Sequence, residues 1–255
     1  MTNSSEPDRR SVIGAALAGS LLPGPVTAAV VRAPIRALAF DAFTIFDSRH
    51  LATIAIATVG EKGGALAAAW TSKLFALSWL ETSAGRYSGF TALADAALAF
   101  SASSMGIELS AGRRRDLVAG FDDLPLWPDS FATLERLRSA GLRLAFLSNL
   151  SEATLLANMR RHGLDRIMDN PISTDLVRAF KPSPRAYGLG PRFFSMTREQ
   201  IGFVAFGSWD ALGAKWFGYR TAWINRLAVT PETLMPPPDE QAPDLRAAVK
   251  LVRPD

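Results

Sequence analysis

Short apolar runs, bounded by polar or turn-forming residues, occur near the start of the chain and again throughout its second half. The first run spans residues 35–40; it follows Pro34 and ends at Asp41. A short segment that is apolar at nearly every position is typical of a strand buried on both faces of a parallel sheet. The pattern predicts a central first strand that delivers Asp41 at its carboxyl end.

A different pattern follows, from Leu51 to about Leu109. This segment is rich in Ala and Leu, and its apolar residues recur at helical spacing, as at Trp70, Leu74 and Leu77. Glycines at 63–64 and 85–89 indicate turns between helices. The pattern predicts an all-helical insertion after the first strand.

After Pro128 the chain alternates between helical and strand patterns. The predicted strands are 142–147, 201–206 and 221–224, and the predicted helices are 130–140, 151–162, about 184–192, 210–217 and 244–252. Strands that alternate with helices form a parallel sheet covered on both faces. The predicted fold class is α/β: a doubly wound parallel sheet with a Rossmann-like core and an inserted helical cap domain.

Polar residues follow three of the predicted strands. Asp41 follows the first, Ser148 and Asn149 the second, and residues 207–210 the third. In open parallel sheets, ligands bind beyond the carboxyl ends of the strands. The sequence therefore predicts that these residues converge on one crevice.

Composition narrows the function without assigning it. The 255 residues are 48% hydrophobic and 20% charged, which is ordinary for a globular enzyme, and the net charge is +4. The chain has no Lys- and Arg-rich run with interleaved aromatics, so no nucleic-acid partner is predicted. The chain has no cysteine, which excludes thiol nucleophiles, zinc ribbons and disulfides.

The first 33 residues are typical of an export signal and linker. A polar start ends in Arg9 and Arg10, an apolar stretch covers 12–22, and small residues follow at 23–28. The paired arginines indicate the twin-arginine route and hence a periplasmic or exported enzyme. The apolar stretch is shorter than the roughly 20 residues of a membrane-spanning helix, so no membrane association is expected after cleavage. The alternative is a basic tail that carries no targeting signal, on a cytoplasmic protein.

The motifs of the mature chain resemble the haloacid dehalogenase superfamily, and more narrowly its type II (S)-2-haloacid dehalogenases. The resemblance covers residues 35–226, with an α/β core at 34–47 and 121–255 and a helical cap at 48–120. It implies a hydrolase of small 2-halocarboxylates or related small anions that needs no cofactor or metal, and relatives of this type often form homodimers. The matching text is FDAFTIFD at 40–47, LSNLS at 147–151, KPSPRAY at 181–187 and SWDALGAKWFGYRTAWINR at 208–226.

The resemblance implies a catalytic role for three residues. Asp41 would attack the α-carbon, displace halide and form an ester that water hydrolyses. Lys181 would hold the carboxylate in its charged form, the alternative being a solvated surface lysine. Asp210 would orient or activate the hydrolytic water, although a residue between a strand and a helix also suits an N-cap.

Five further residues are implied in substrate binding: Thr44, Ser148, Asn149, Tyr187 and Trp209. Ser148 and Asn149 follow a strand and are expected to open a helix, a geometry that binds anions, and helix capping is their alternative role. Tyr187 and Trp209 have core packing as an equal alternative. The loop of Thr44 is one residue shorter than in the family.

Several positions depart from related patterns. Phosphatases of this fold carry an aspartate two residues after the nucleophile to protonate the leaving group, and here that residue is Phe43, which favours halide as the leaving group. At the position of the cap arginine of the dehalogenases, this chain has Thr71. Lys73 lies two residues later and is expected to face a different side of the helix. At two positions where the family has a serine and an asparagine, this chain has Ala205 and Gly207. A weakly active or inactive binding protein and a divergent phosphatase therefore remain alternatives.

Overall fold

The strands of the computed structural model run in the same direction. The structure describes residues 33–234 and 236–253, so the predicted signal peptide lies outside the described residues, apart from the end of its linker. In the described part, the strands are β1, Ala37–Phe40; β2, Arg143–Ser148; β3, Ile172–Ser173; β4, Ile201–Ala205; β5, Arg220–Ile224; and β6, Glu240–Ala242. They form a six-stranded sheet in the order β3-β2-β1-β4-β5-β6, and each pairing is parallel.

Helices fall into two groups along the chain. The first four come directly after β1 and form the inserted cap: α1, His50–Val59; α2, Gly63–Ser83; α3, Phe90–Ser104; and α4, Ala111–Ala119. The others alternate with the remaining strands of the core: α5, Ser130–Ser139; α6, Glu152–Arg161; α7, Pro184–Tyr187; α8, Leu189–Phe194; α9, Ser208–Phe217; and α10, Arg246–Leu251. The predicted α/β class with a helical insertion is confirmed.

The sequence pattern missed two strands and misplaced one turn. The edge strands β3 and β6 are two and three residues long, too short to show an apolar period. Gly63 and Gly64, predicted as a turn, are the first residues of α2, and the break between α1 and α2 lies at Gly60–Lys62. A Cβ on Gly63 would lie 2.3 Å from the backbone nitrogen of Ile56, so only glycine allows this close approach.

Alternation along β1 separates two apolar cores, one on each face of the sheet. Leu38 and Phe40 belong to the core that continues into the cap, whereas Ala37 and Ala39 belong to the core beneath α7, α8 and α9. All four side chains are fully buried. Burial on both faces explains why the run is continuously apolar, and it fixes the position at which Asp41 leaves the sheet.

The cap helices are stabilised by packing against one another. The segment His50–Ser83 is long and apolar enough by composition to cross a membrane, but in the structure it is broken into α1 and α2. Leu66, Trp70 and Leu74 are buried in the core shared with the other cap helices. The indole nitrogen of Trp70 donates to the carbonyl of Ala94, at 2.7 Å, which holds α2 against α3.

Candidate active site

Asp41 leaves the sheet at the carboxyl end of β1 and carries its carboxylate into a tight turn. Its backbone N–H donates to the carbonyl of Val204 on β4, at 2.8 Å. Its Oδ2 accepts from the backbone N–H of Phe43, at 3.1 Å. The side chain is nearly buried but lines a large cavity. The sheet and the turn therefore fix both ends of this residue.

Thr44 does not reach the cavity, so its predicted place in substrate binding is wrong. Its side chain is fully buried, and its hydroxyl donates to the carbonyl of Asp41, at 2.7 Å. The backbone carbonyl of Thr44 accepts from the buried guanidinium of Arg226, at 2.8 Å. Thr44 thus closes the turn behind the carboxylate.

Lys181 lies between two carboxylates. Its ammonium nitrogen is 2.7 Å from Oδ1 of Asp41 and 2.7 Å from Oδ2 of Asp210, and all three side chains are buried. The alternative of a solvated surface lysine is therefore excluded. Desolvation opposes the charge on the ammonium, but attraction by Asp210 and Asp41 outweighs it, so the pKa of Lys181 is raised. The lysine remains a cation in this dry setting.

Asp210 belongs to the first turn of α9, where a negative charge is favoured by the helix dipole. The N-cap of this helix is Gly207, so the capping role considered for Asp210 is wrong. Burial raises the pKa of Asp210 to about 6; attraction to Lys181 opposes the rise and repulsion by Asp41 adds to it. A carboxyl group with a raised pKa, lining the cavity beside Asp41, has the properties of a general base.

Tyr187 is a core residue and does not line the cavity, which corrects its predicted place in substrate binding. It packs among the aromatic side chains beneath β4, and its hydroxyl donates to Oδ1 of Asp210, at 2.7 Å. A Cβ on Gly213 would lie 2.6 Å from this hydroxyl oxygen. The glycine therefore allows the tyrosine to approach α9 closely enough to orient Asp210.

Ser148 and Asn149 end β2 and line the cavity. The sequence analysis expected these residues to open a helix or to cap one, and both expectations are wrong. The next helix, α6, begins at Glu152 and is capped by Ser151. The side-chain Oδ1 of Asn149 accepts from the backbone N–H of Lys181, at 2.9 Å. This bond connects the residue that follows β2 to the loop that carries Lys181.

Trp209 lines the cavity, as predicted, and also contacts the cap. Its ring centroid lies 5.2 Å from that of Phe75 and 5.5 Å from that of Trp79, both on α2. A Cβ on Gly207 would lie 2.7 Å from the indole nitrogen. The indole therefore takes the room beside position 207, where the family pattern has an asparagine.

The cavity has a volume of about 640 Å³ and lies between the strand ends and the cap. Thr71 lines it, whereas Lys73 places its ammonium nitrogen 3.8 Å from the ring centroid of Phe100, so Lys73 does not replace the missing cap arginine. Arg49, which the sequence did not single out, is the only basic residue among the described lining residues. Its guanidinium is paired with Asp47 at 2.6 Å.

The loop that carries Lys181 is attached to the cap, a feature without a signal in the sequence. The hydroxyl of Thr82, near the end of α2, accepts from the backbone N–H of Phe180, at 3.0 Å. The hydroxyl of Tyr87 donates to the carboxylate of Asp175. These contacts join residues 88 to 98 positions apart, and only the folded chain brings them together.

A metal site would need clustered oxygen or nitrogen ligands. Among residues 33–234 and 236–253, no group of three or more His, Asp or Glu side chains is arranged to hold a metal ion. At the strand ends, the ammonium of Lys181 lies between the two carboxylates. The arrangement is that of two buried carboxylates with a fixed ammonium counterion between them.

This site and fold place the chain in a family. Residues 18–218 match the family of haloacid dehalogenase-like hydrolases, and the chain belongs to that family. It is an enzyme of the hydrolase class, and within the family it is of the type II haloacid dehalogenase kind.

Individual relatives match along most of their length. Haloacetate dehalogenase H-2 of Moraxella sp. (strain B) is 33% identical over 219 residues, covering 86% of this chain and 98% of the relative. The (S)-2-haloacid dehalogenase of Pseudomonas sp. (strain YL) is 33% identical over 218 residues, covering 85% and 94%. The L-2-haloacid dehalogenase of Xanthobacter autotrophicus, solved with chloropropionic acid covalently bound, superimposes with a TM-score of 0.80 at 29% identity, covering 86% of this chain and 98% of that one.

Proposed function

We propose that this enzyme is a metal-independent 2-haloacid dehalogenase that acts on the (S) enantiomer through an aspartyl ester on Asp41. The observation that carries the proposal is the buried trio in which Lys181 contacts Asp41 and Asp210, each at 2.7 Å, at the floor of the cavity. Relatives named as 2-haloacid dehalogenases support the same reaction.

In the first step, a carboxylate oxygen of Asp41 attacks C2 of the substrate. The new C–O bond forms as the carbon–halogen bond breaks, and halide leaves with the bonding electrons. Asp41 is suited to this because its carboxylate contacts the ammonium of Lys181 and is held by the N–H of Phe43. A fixed, poorly hydrated nucleophile needs little reorganisation before attack.

In the second step, water cleaves the ester. Asp210 takes a proton from water, and the water oxygen adds to the carboxyl carbon of Asp41. The bond between that carbon and the ester oxygen then breaks, the leaving alkoxide takes the proton from Asp210, and the second proton of the water is released as Asp41 returns to a carboxylate. Attack at C2 inverts the configuration and ester hydrolysis does not alter it, so an (S)-2-halo acid gives an (R)-2-hydroxy acid. Tyr187 and Lys181 hold the carboxylate of Asp210 from both sides during this step.

The leaving group separates this proposal from phosphate transfer. An alkoxide leaving group needs a proton donor near the nucleophile, whereas halide leaves as a stable anion. The side chain two residues after Asp41 is Phe43, which lines the cavity and cannot donate a proton. The fixed ammonium of Lys181 supplies the positive charge between the acids.

The ester is tested by turnover of 2-chloropropionate in ¹⁸O-water, with free halide measured and the peptide containing Asp41 analysed by mass. We expect halide release and heavy oxygen in that peptide, because water attacks the carboxyl carbon of Asp41. Asp41→Asn should release no halide while keeping the native melting curve. Halide release with heavy oxygen only in the product would show that water attacks C2 directly and would remove the ester.

We also propose that the enzyme is exported before it acts, which rests on the residue pattern of Arg9, Arg10 and the apolar stretch that follows. Replacing both arginines with lysine should shift the protein from the periplasmic to the cytoplasmic fraction. An unchanged distribution, checked by blotting each fraction, would remove the twin-arginine route.

A further inference from the structure

The cavity above Asp41 is much larger than a small 2-halo acid requires. Its volume is about 640 Å³, within the range of roughly 300–1,000 Å³ that is typical of pockets for drug-sized ligands. A molecule such as 2-chloropropionate would fill a minor part of it. The remaining space needs a physical explanation.

Small residues on one face of α2 create this space. Gly64, Ala67, Ala68 and Thr71 line the cavity, and their spacing places them on the same side of the helix. Ala68 and Thr71 are exposed and line the cavity, so this face of α2 offers only short side chains to it. The wall of the cap is therefore recessed where a long side chain would meet the substrate.

The rest of the wall is apolar and aromatic. Among the described residues that line the cavity, Asp41, Arg49 and Asp210 are the only charged ones, and Arg49 is paired with Asp47. The uncharged polar residues of the lining are Ser48, Thr71, Ser72, Ser148, Asn149, Ser208, Asn225 and Thr230. Beyond them the lining is dominated by aromatic rings and leucines: Phe43, Leu51, Leu74, Phe75, Phe90, Phe121, Phe206 and Trp209.

We propose that this cavity takes a carboxylic acid with a large apolar substituent, of about the size of a hexyl chain or a phenylalkyl group. The acid end lies at the strand ends beside Ser148 and Asn149, and the apolar end lies against the recessed face of α2. The halogen at C2 rests on the proposed function, whereas the size and apolar character of the substituent rest on the cavity. Transfer of such a substituent from water to an apolar wall supplies the binding free energy.

Halide release from 2-bromooctanoate and 2-bromopropionate tests the assignment. We expect kcat/KM to be at least about 100-fold higher for the octanoate, because it adds five methylenes and burial of each contributes a factor of about four. Ala68→Phe should remove this preference by filling the recess, and Ala68→Leu should reduce it. Ala65→Phe is the matched control, because Ala65 lies on the same helix, is exposed and does not line the cavity.

Binding of unhalogenated octanoate and propionate, measured by calorimetry, separates this inference from the reaction. Tighter binding of octanoate that Ala68→Phe abolishes and Ala65→Phe preserves supports the assignment even if no halide is released, an outcome that overturns only the proposed dehalogenation. Equal binding of the two acids, or a preference that survives Ala68→Phe, overturns the assignment even if 2-bromopropionate is turned over.

Discussion

The floor and the roof of the cavity are built by opposite means. On the floor, Asp41, Lys181 and Asp210 are buried and held by short hydrogen bonds from several elements. On the roof, α2 presents small side chains and aromatic rings, and it contacts the floor at Trp209 and, through Thr82, at the loop of Lys181. Charges in a dry site tolerate little displacement, whereas an apolar lining accepts exchange of one apolar side chain for another of similar volume at small cost. We infer that the floor fixes the chemistry and the roof sets the size of the substrate.

The largest effect is expected at the centre of the floor. Lys181→Met leaves two buried carboxylates facing each other without a counterion, which should cost about 3–5 kcal/mol of the free energy of unfolding and abolish halide release. Urea denaturation and a halide assay measure the two effects. Lys73→Met is the control, since Lys73 contacts Phe100 and lies outside the cavity lining. A Lys181 variant of native stability would show that the trio is not a coupled buried unit.

The next effect separates the two steps of the reaction. Asp210→Asn keeps a polar side chain of the same shape but removes the base, so ester hydrolysis should slow by a factor of about 10²–10⁴. We expect one halide per enzyme molecule in a rapid burst, followed by accumulation of the ester on the Asp41 peptide, seen by mass. Asp95→Asn, a carboxylate paired with Arg114 on the cap, is the control. Steady turnover without a burst would contradict a role for Asp210 as base.

A smaller effect concerns pH. Asp210 accepts a proton only when ionised, and its pKa is about 6, so turnover should fall about tenfold for each pH unit below that value. Tyr187→Phe removes a hydrogen bond that favours the charged carboxylate, so the pKa should rise and the acidic limb of the profile should move to higher pH. Tyr219→Phe, whose hydroxyl donates to the carbonyl of Tyr187, should leave the limb in place.

The smallest effect tests the joint between floor and roof. In Gly207→Ala the new methyl group would lie 2.7 Å from the indole nitrogen of Trp209, so the ring must move. We expect altered tryptophan fluorescence and a KM several-fold higher with kcat nearly unchanged, because binding is affected more than the chemical step. Gly112→Ala meets only ordinary contacts and is the control. An equal loss in kcat would place Trp209 in the reaction itself.

The pattern of strands and helices was sufficient to predict the sheet and the meeting of three strand ends, because buried strands are apolar throughout and parallel strands share one carboxyl edge. The resemblance added the roles of Asp41, Lys181 and Asp210, which stay predictions. Thr44 and Tyr187, which the resemblance implied in substrate binding, do not line the cavity, and for Tyr187 core packing was an equal alternative. Motif matching identifies residues near a site but not the direction in which their side chains point.

The sequence by itself determined the α/β class, the helical insertion and the residues that leave the sheet at its carboxyl edge, since these follow from local periodicity and chain order. Only the tertiary structure decided that Lys181 lies between two acids, that Tyr187 orients Asp210 from the core, and that the cap leaves a wide apolar recess. These features depend on distances between residues far apart in the chain, and such distances are set by packing of the whole core. Local sequence patterns therefore do not predict these distances.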